Sequence, residues 1–417
     1  MYARKECDII YRYYTKGQKF VAKEKKNGFK TIETNYDELE KQLQEHRKDN
    51  FKILVRVILI LGLVIITMNI VYALRSYDSY EVTELVERNS NSATEYRLFG
   101  DYLLEYSNDG ISCLGENQEI VWNQSFEMVS PEVVICETYL AVYDAGGTQL
   151  YILTEGGLQK SIETTAPIQT VCIAKQGTVA VLMREGIISQ VKLFDKKGNE
   201  LANGKFYGEK GSFPIDIALS YDGTKLAVDM VDVSVGNVKT TISFYNFGSV
   251  GQSEIDNNVG SYSFDGILVP EIDYISDSRM IGMGTGRLLV FEGNQKPELV
   301  REVAIEQEVL SYFHNEKYIG IVYDNVDEEA LWHVKVMDLR GNTLMENDIS
   351  IAYDTIEFLS NNEICVANKT ECEIFTIHSI KKFSYTFDKE LYKILSGDTG
   401  QNYTFIFKGT IEEVKLK

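Results

Sequence analysis

Proline is scarce in this chain, with 5 residues in 417, whereas tyrosine is abundant, with 26. Disordered segments are usually rich in proline and poor in aromatic residues, so this composition argues against a largely disordered protein. Tyrosine is enriched in β-strands, whose pleated surface accommodates its ring. The composition therefore predicts a folded chain in which strands predominate.

Histidine is also rare, and this limits the kinds of catalytic site that the chain can contain. None of the four histidines stands in a spacing typical of a zinc site; they are His46, His314, His333 and His378. His333 lies within a strand-like run, and we interpret it as a structural or solvent-facing residue. The chain has no G-x-S-x-G nucleophile elbow and no Walker motif. We therefore predict no catalytic, cofactor-binding or metal-binding residue, and no cofactor.

Two stretches resemble ligand-binding loops only superficially. The phrase "GMGTGR", at residues 282–287, is rich in glycine, but it lies between two strands and no helix follows that could bind phosphate. We interpret it as a hairpin turn. Asp324, Asp327, Glu328 and Glu329 share one loop, but their spacing fits no calcium-binding loop. We interpret that loop as an exposed polar hairpin.

Cysteine is too infrequent to build a disulfide scaffold. Of six cysteines, Cys7 lies in the N-terminal segment and the other five follow the long apolar run, an odd number that cannot pair completely. Three of the five lie in apolar strand-like runs and are predicted to be small buried residues: Cys113, Cys136 and Cys172. Cys365 and Cys372 stand on either side of the hairpin "ICVANKTECEI", and both a disulfide and two free thiols are compatible with that spacing.

The longest stretch without charge is "VILILGLVIITMNIVYAL", at residues 57–74. About 20 apolar residues are needed to cross the hydrocarbon layer of a membrane. The apolar run begins at Ile53 and is interrupted only by Arg56, which can extend to the interface. A buried core helix is the alternative, but such helices are seldom so uniformly apolar. The sequence argues against a cleaved signal peptide, because more than 50 residues precede the run and no small-x-small cleavage site follows it.

Charge is unevenly distributed along the chain. Residues 1–56 carry 14 Lys and Arg against 9 Asp and Glu, whereas the remainder carries 28 against 53. Basic side chains precede the apolar run and acidic side chains follow it, so the positive-inside rule places the N-terminus in the cytoplasm. The predicted organisation is a basic cytoplasmic tail at 1–52, a transmembrane helix at 53–74, a juxtamembrane stalk at 75–95 and an extracytoplasmic domain at 96–417.

Two nearly identical phrases stand far apart in this last domain, "LFDKKGNEL" at 193–201 and "VMDLRGNTL" at 336–344. In each phrase, the Asp side chain can hydrogen-bond to its own backbone and so start a turn. The Gly can adopt the positive φ at which the chain reverses. They belong to a larger repeat, in which an apolar run such as "PIDIAL" is followed by three further short strands. The second strands recur at intervals of 37 to 54 residues. A repeat of about 40 to 45 residues with four strands is typical of a β-propeller blade.

Eight such units predict an all-β fold with eight blades, or seven if one weak unit is an insertion. The last unit has only three strands before the chain ends, which would leave an exposed strand edge. A segment within residues 80–94 is a candidate for the missing strand, because "YEVTELVE" has the β-branched alternation of a strand. A helical stalk is the alternative for the same segment.

Several motifs resemble those of known propellers. "LSYDGTKLAV", at 219–228, resembles the turn-and-strand motif of WD40-like and periplasmic translocation-type propellers, and "LFDKKGNEL" is similar to outer hairpins of quinoprotein-like propellers. The layout of tail, span and acidic propeller resembles an uncharacterised family of membrane-anchored propeller proteins of Firmicutes, a domain of unknown function. The chain lacks the Gly-His and Trp-Asp pairs of WD40 repeats, and it has only Trp122 and Trp332 where quinoprotein blades have regular tryptophans. The resemblance implies a propeller and supplies no catalytic residue.

The sequence leaves two classes of function. The first is a non-enzymatic binding or scaffolding module at the cell surface, with a protein partner on the propeller face. The second is a propeller enzyme, a hydrolase or a quinoprotein-like dehydrogenase, whose ligands are scattered over several blades. The acidic excess after residue 56 repels nucleic acid and favours a basic partner. We expect attachment to the membrane through one helix and no nucleic-acid partner.

Overall fold

The computed structural model describes residues 41, 51–64, 67, 75–87, 95–115, 119–208, 211–234, 236–325, 330–397 and 399–417. The chain divides into two compact units, Met1–Ala73 and Leu74–Lys417. In the first unit, residues 51–64 are helical. Within the described ranges, no helix is both long enough and apolar enough to cross a membrane. Residues 65–66 and 68–74 of the predicted span, and most of the predicted tail, lie outside the described residues.

The described part of the second unit consists of 32 strands in eight four-stranded antiparallel sheets, together with two 3₁₀ turns at Gly251–Ser253 and Ile255–Asn257. The first strand of the unit is β1 (Tyr80–Glu87). Blades 1 to 4 follow, and their strands are β2 (Glu95–Phe99), β3 (Tyr102–Ser107), β4 (Gly110–Leu114), β5 (Ile120–Ser125); β6 (Pro131–Cys136), β7 (Tyr139–Asp144), β8 (Gln149–Thr154), β9 (Gly157–Glu163); β10 (Ile168–Ile173), β11 (Val179–Glu185), β12 (Ile188–Phe194), β13 (Glu200–Tyr207); β14 (Ser212–Leu219), β15 (Lys225–Asp232), β16 (Lys239–Asn246), β17 (Asn258–Asp265).

Blades 5 to 8 repeat the pattern. Their strands are β18 (Glu271–Tyr274), β19 (Arg279–Gly284), β20 (Arg287–Glu292), β21 (Glu298–Ala304); β22 (Val309–His314), β23 (Tyr318–Asp324), β24 (Trp332–Asp338), β25 (Thr343–Ile349); β26 (Thr355–Phe358), β27 (Ile364–Ala367), β28 (Glu371–Phe375), β29 (Lys381–Thr386); β30 (Leu391–Ser396), β31 (Asn402–Phe407), β32 (Thr410–Leu416). In seven blades the four strands pair in chain order, whereas the eighth has the order β1, β32, β31, β30. The fold is an eight-bladed β-propeller, as predicted, and the seven-bladed alternative is wrong.

The two recurring phrases form the same hairpin, between the third and fourth strands of blades 3 and 6. Asp195 accepts hydrogen bonds from the backbone N–H groups of Lys197 (2.9 Å) and Asn199 (2.8 Å). Asp338 accepts them from Arg340 (2.8 Å) and Asn342 (2.9 Å). The glycine of each phrase has a positive φ, +81° in the first and +84° in the second. The recurrence therefore reflects identical turn chemistry in two blades, as the sequence predicts.

The core of the propeller is divided among the blade interfaces. The buried apolar side chains form eight clusters, and each cluster joins two neighbouring blades around the ring. Between blades 4 and 5, for example, Ile242 and Phe244 of one blade pack against Tyr274 and Phe291 of the next. Because each cluster needs side chains from two blades, no blade can bury its apolar faces alone.

Strand β1 supplies the outer strand of the last blade and closes the ring. It pairs with β32 from Tyr80 opposite Leu416 to Glu87 opposite Thr410. The ring of Tyr80 packs among the aromatic side chains of β29 and β31, with centroids 5.0 Å from Tyr385 and 5.2 Å from Phe405. The closing strand is the one that the sequence suggested, and residues 80–87 are not helical. The propeller therefore begins at β1, inside the segment assigned to the stalk.

Removing residues 411–417 should destabilise the whole propeller. The deletion exposes the pairing edge of β1 and removes the buried side chains of Ile411, Val414 and Leu416, each worth about 1.5–3 kcal/mol. We expect a loss on the order of 5 kcal/mol in the free energy of unfolding, measured by denaturant titration of the full-length chain. The control is Glu413→Gln with Lys415→Gln, two exposed positions of β32, where we expect a change below about 0.5 kcal/mol. An unchanged unfolding midpoint for the deletion would show that the ring does not depend on this pairing.

Candidate functional site

The first strands of the blades surround the central channel of the propeller. A cavity of about 500 Å³ in this channel is lined by β6, β10, β14 and β18, the inner strands of blades 2 to 5, and by the segments that follow them. A smaller cavity of about 210 Å³ is lined by β2, β26 and β30 of blades 1, 7 and 8. These two cavities differ in charge, and the larger one is the candidate site.

Three carboxyl groups from two neighbouring inner strands line the larger cavity: Asp216, Glu271 and Asp273. Asp216 lies on β14, and its Oδ1 accepts a hydrogen bond from the N–H of Ile217 at 2.9 Å. Its Oδ2 accepts one from the N–H of Ile272, on β18, at 2.8 Å. Asp216 thereby joins blade 4 to blade 5, and it lies beside the segment that carries Glu271 and Asp273.

The surroundings of the channel raise the pKa values of two of these carboxyl groups to near pH 7. Desolvation raises the pKa of Asp216 to about 7, and the charge of Glu271 adds to it, although the two backbone hydrogen bonds oppose the rise. Desolvation likewise raises the pKa of Asp273 to about 7, with the charges of Asp216 and Glu271 adding to it. The Asp273 side chain is nonetheless 48% exposed. It lines the open cavity on one side, and the walls of the channel enclose it on the others. Both groups can therefore gain or lose a proton near pH 7.

A fourth carboxyl group, Asp229, lies behind this wall. It stands on β15 directly opposite Asp216, and it is completely buried. Neither of its carboxyl oxygens has a hydrogen-bond partner among the described residues. Desolvation, with the charge of Asp216 adding to it, raises the pKa of Asp229 to about 8. Asp216 and Asp229 therefore form a cross-strand acid pair that favours a bound proton at neutral pH.

Asp222, in the turn after β14, has the opposite environment. Its side chain accepts hydrogen bonds from Ser220 (2.6 Å) and Thr224 (2.7 Å), and it forms a 3.0 Å ion pair with the buried Lys225. Partial burial raises the pKa of Asp222, but these hydrogen bonds outweigh it and lower the pKa to about 2. The ionised form of aspartate is thus stabilised in this turn and destabilised in the channel.

Blade 6 adds a histidine and a tyrosine next to the acidic wall. His314 Nε2 lies 3.7 Å from Asp273 Oδ2. Desolvation lowers the pKa of His314, although the charge of Glu271 opposes this, so the imidazole is neutral at pH 7. The ring of Tyr312 stacks on His314 with centroids 6.3 Å apart, and its hydroxyl is hydrogen-bonded to Glu271.

The opposite side of the channel contains cations. Lys393, on β30, forms a 2.6 Å ion pair with Glu357 on β26, and Arg97 lines the same small cavity. By contrast, within the described residues no lysine or arginine forms an ion pair with Asp216, Asp229 or Glu271. The two cavities therefore differ: the carboxyl groups at blades 4 and 5 have no lysine or arginine ion pair among the described residues, whereas Lys393 and Arg97 line the smaller cavity at blades 8 and 1.

The residues singled out from the sequence have mostly structural roles. His333 lies on β24, and its Nδ1 is 2.7 Å from Asp348 on the neighbouring strand, as a structural residue would be. "GMGTGR" forms the hairpin between β19 and β20, as predicted. Asp324 ends β23, whereas residues 326–329 of the acidic loop and His46 lie outside the described residues. Within the described ranges, no group of three or more His, Cys, Asp or Glu is arranged to hold a metal ion.

All five described cysteines are free thiols. The disulfide between Cys365 and Cys372 is not formed: Cys365 stands opposite Ile374, and Cys372 stands opposite Ala367. The two cysteines are therefore diagonal neighbours and not a facing pair. Cys113 and Cys136 are buried, as predicted, whereas Cys172 is partly accessible on the cavity wall and donates its S–H to the carbonyl of Ile217 at 3.0 Å.

The acid pair should make the stability of the propeller fall as pH rises. A carboxyl group with a raised pKa in the folded state binds a proton that the unfolded chain, with an ordinary aspartate pKa of 3.8, has already released. Its stabilising contribution is complete below about pH 4 and is lost as pH rises through the folded-state pKa of about 8. We expect Asp229→Asn to increase the free energy of unfolding at pH 9 by about 2–4 kcal/mol and to have little effect at pH 5. Denaturant titrations at pH 5, 7 and 9 measure this.

Asp222→Asn is the matched control. Because the pKa of Asp222 is lowered, its contribution is present above about pH 4 and is lost only as pH falls through about 2. This variant should therefore be destabilised by a similar amount, about 1–2 kcal/mol, at all three pH values. A pH dependence in Asp229→Asn identical to that of the unsubstituted chain would show that Asp229 is ionised throughout.

No curated protein is significantly similar in sequence to this chain. BamB from Moraxella catarrhalis aligns with 81% of this chain and 100% of its own, at 12% identity and a TM-score of 0.48. The Pan2 WD40 domain from Neurospora crassa aligns with 82% of this chain and 97% of its own, at 8% identity and a TM-score of 0.46. Likenesses this distant give no information on function. Residues 73–416 match a family of unknown function, DUF5711, and the chain belongs to that family.

Proposed function

We propose that this chain is a single-pass, membrane-anchored, extracytoplasmic propeller that acts as a non-enzymatic binding module for a basic protein partner. The observation that carries the proposal is the acidic wall of the channel, where Asp216, Glu271 and Asp273 line a cavity and, among the described residues, no lysine or arginine forms an ion pair with them. A positively charged group from a partner would complete this wall. The net acidity of the chain after residue 56, 28 basic against 53 acidic side chains, favours the same kind of partner.

The membrane anchor in this proposal rests on the sequence. Residues 57–74 carry no charge, and the segment 53–74 has about the length that a membrane span requires. Tyr77 is already packed against blade 7, and its N–H donates to the carbonyl of Lys382 at 2.7 Å. Only residues 75 and 76 would then separate the span from the propeller, in place of a long stalk. We propose that this span anchors the propeller to the extracytoplasmic side of the membrane.

The topology can be measured with reporter fusions to the full-length chain in a bacterial host. Alkaline phosphatase fused after Lys417 should be active, because it folds only outside the cytoplasm, and green fluorescent protein at the same position should be dark. Fusion of each reporter to the N-terminus should give the reverse pattern. A fluorescent C-terminal fusion with inactive phosphatase would refute the extracytoplasmic placement. Replacing residues 57–74 with a polar linker is the control that should release the chain from the membrane fraction.

The binding role predicts contacts at the mouth of the channel. Glu137 follows β6, Glu316 follows β22, and both are exposed. Burial raises the pKa of Tyr221, and the charges of Asp273, Glu316 and Glu137 add to it, so both glutamates lie near the same tyrosine of the channel. A photo-crosslinking residue at either position of the full-length chain, in its native host, should yield a discrete adduct whose partner carries a basic segment.

Glu84, an exposed residue of the outer strand β1, is the matched control position for crosslinking and should yield no such adduct. Glu271→Gln should reduce the adducts at the channel mouth. Absence of adducts at both mouth positions, or equal yields at Glu84, would count against a partner that binds this face.

A second function is favoured by one observation. Asp216, Asp273 and His314, which come from three different blades, meet at the channel, and carboxyl groups with a pKa of about 7 can serve as general acids or bases. This arrangement is compatible with a propeller hydrolase whose residues are dispersed along the chain. Turnover of an ester or lactone that Asp273→Asn abolishes would support it.

A further inference from the structure

The larger channel cavity has the size of a ligand site. Its volume is about 500 Å³, within the range of about 300–1,000 Å³ that is common for small-molecule sites. Glu271 is exposed and Asp273 is half-exposed, so the cavity is reached from solvent. A ligand would therefore meet these two carboxyl groups without any rearrangement of the strands.

The charge of the wall selects a cation. Like-charged carboxyl groups that share one site repel each other, and either a bound proton or a cation relieves that repulsion. Asp216 and Asp273 lie close enough that the charge of Asp216 contributes to the raised pKa of Asp273. An anionic ligand would add to the repulsion, and an apolar ligand would leave the carboxyl groups both desolvated and unpaired.

Tyr274 belongs to the wall of the cavity but offers no contact to a ligand. It lines the same cavity and is only 1% exposed. Its hydroxyl has no hydrogen-bond partner among the described residues. Buried hydroxyl groups in folded proteins are nearly always hydrogen-bonded. That oxygen has almost no accessible surface and the ring packs in the core between blades 4 and 5, so a ligand in the cavity cannot reach it unless Tyr274 moves.

The residue types around the cavity favour an organic cation over a metal ion. The described side chains offer no group of three or more metal ligands in a suitable arrangement. Tyr221 also lines the cavity, and tyrosine rings attract ammonium and guanidinium groups through their π-electrons. Such groups carry several N–H donors, which match carboxylate and hydroxyl acceptors at separate points of the wall.

We propose that the acidic side of the channel is a binding site for an ammonium or guanidinium group, held by Asp216, Glu271 and Asp273. The group is either that of a small free amine or the side chain of a lysine or arginine from the partner. The site deepens the proposed binding function and rests on it, since it specifies the chemistry that the channel recognises. Recognition of one charged group inside the channel would also position a partner on the channel axis.

Binding at this site is linked to protons. Because Asp216 and Asp273 have pKa values of about 7, a cation that favours their ionised forms must displace bound protons below about pH 8. The other titratable groups facing them do not reverse this sign, since desolvation lowers the pKa of His314 and burial raises the pKa values of the tyrosines and the two thiols. These facing groups are Asp229, Glu271, Cys136, Cys172, Tyr143, Tyr221, Tyr312 and His314. Affinity should therefore increase from pH 6 to pH 8.5.

Isothermal titration calorimetry of the purified full-length chain tests the site with defined probes. Spermidine represents free amines, and N-acetyl-arginine amide and N-acetyl-lysine amide represent side chains of a partner. We expect saturable binding at pH 8.5, at least tenfold weaker binding at pH 6, and proton release at pH 7 that is revealed by comparing buffers of different ionisation enthalpy. Tighter binding of spermidine would indicate a free amine as the ligand, and tighter binding of a blocked amino acid would indicate an inserted side chain.

The variants and controls decide the outcome. Glu271→Gln, at an exposed position that should not disturb folding, and Asp273→Asn should each weaken binding at least tenfold, whereas Glu84→Gln on the outer strand should leave it unchanged. Absence of binding to all three probes, or binding that neither variant weakens, would overturn the proposal. Calcium binding that depends on the same residues, without amine binding, would also overturn it and indicate an inorganic cation site. Crosslinks at the channel mouth without amine binding would refute this site and leave the proposed partner intact.

Discussion

The pairing of β1 with β32 is the interaction on which the rest of the propeller depends. Each of the eight core clusters is shared by two blades, so a ring that opens at any point exposes the apolar faces of two blades at once. The strands that close it come from opposite ends of the domain, and their backbone hydrogen bonds connect residues more than 300 positions apart. Closure over such a distance requires a large loss of chain entropy, which the completed set of interfaces must offset. The interface between blades 8 and 1 has the smallest buried cluster, six residues, and is therefore where the ring relies most on strand pairing.

Ring closure also explains how the channel can contain charged groups. The inner strand of each blade pairs on one side only, and its other edge faces the channel with N–H groups that no strand satisfies. Asp216 accepts a hydrogen bond from one of these N–H groups, that of Ile272. It thereby protects the free strand edge from pairing with another strand, as inward-pointing charged residues commonly do. This structural role accounts for Asp216. It does not account for Asp229, whose oxygens have no partner among the described residues, or for Glu271 at the open wall. The proposed cation site rests on these carboxyl groups, for which the fold itself gives no structural reason.

Much of the architecture could be predicted from the sequence because it depends on local chemistry. The Asp-x-basic-Gly-Asn turn, the apolar inner strands and the alternation of "YEVTELVE" each determine a hairpin or a strand through side chains that are close in sequence, and the structure confirms all three. What could not be predicted depends on register. Cys365 is paired with Ile374, two positions from Cys372, so the two thiols do not face each other. Asp216 faces Asp229 only because the pairing of β14 with β15 is irregular between Pro214 and Asp216. A shift of one residue would turn a side chain to the other face of the sheet. The only sequence signal for the site was an acidic residue inside an apolar run, as in "PIDIAL", "PEIDYI" and "KLAVDM".

The acid pair connects stability to recognition. Keeping the fully buried Asp229 ionised would cost on the order of 5 kcal/mol, a large part of the stability of a typical domain, so this group holds a proton at neutral pH. That proton lies next to Asp216, whose other side faces the cavity. A cation bound in the cavity favours ionised Asp216, and ionised Asp216 in turn increases the affinity of Asp229 for its proton. In the proposed site, the buried acid would therefore stay neutral behind a wall whose charge depends on the bound cation and on the pH. Residues of this kind weaken the fold where they stand, and the proposed cation site in the channel gives a reason for their presence at the blade 4–5 interface.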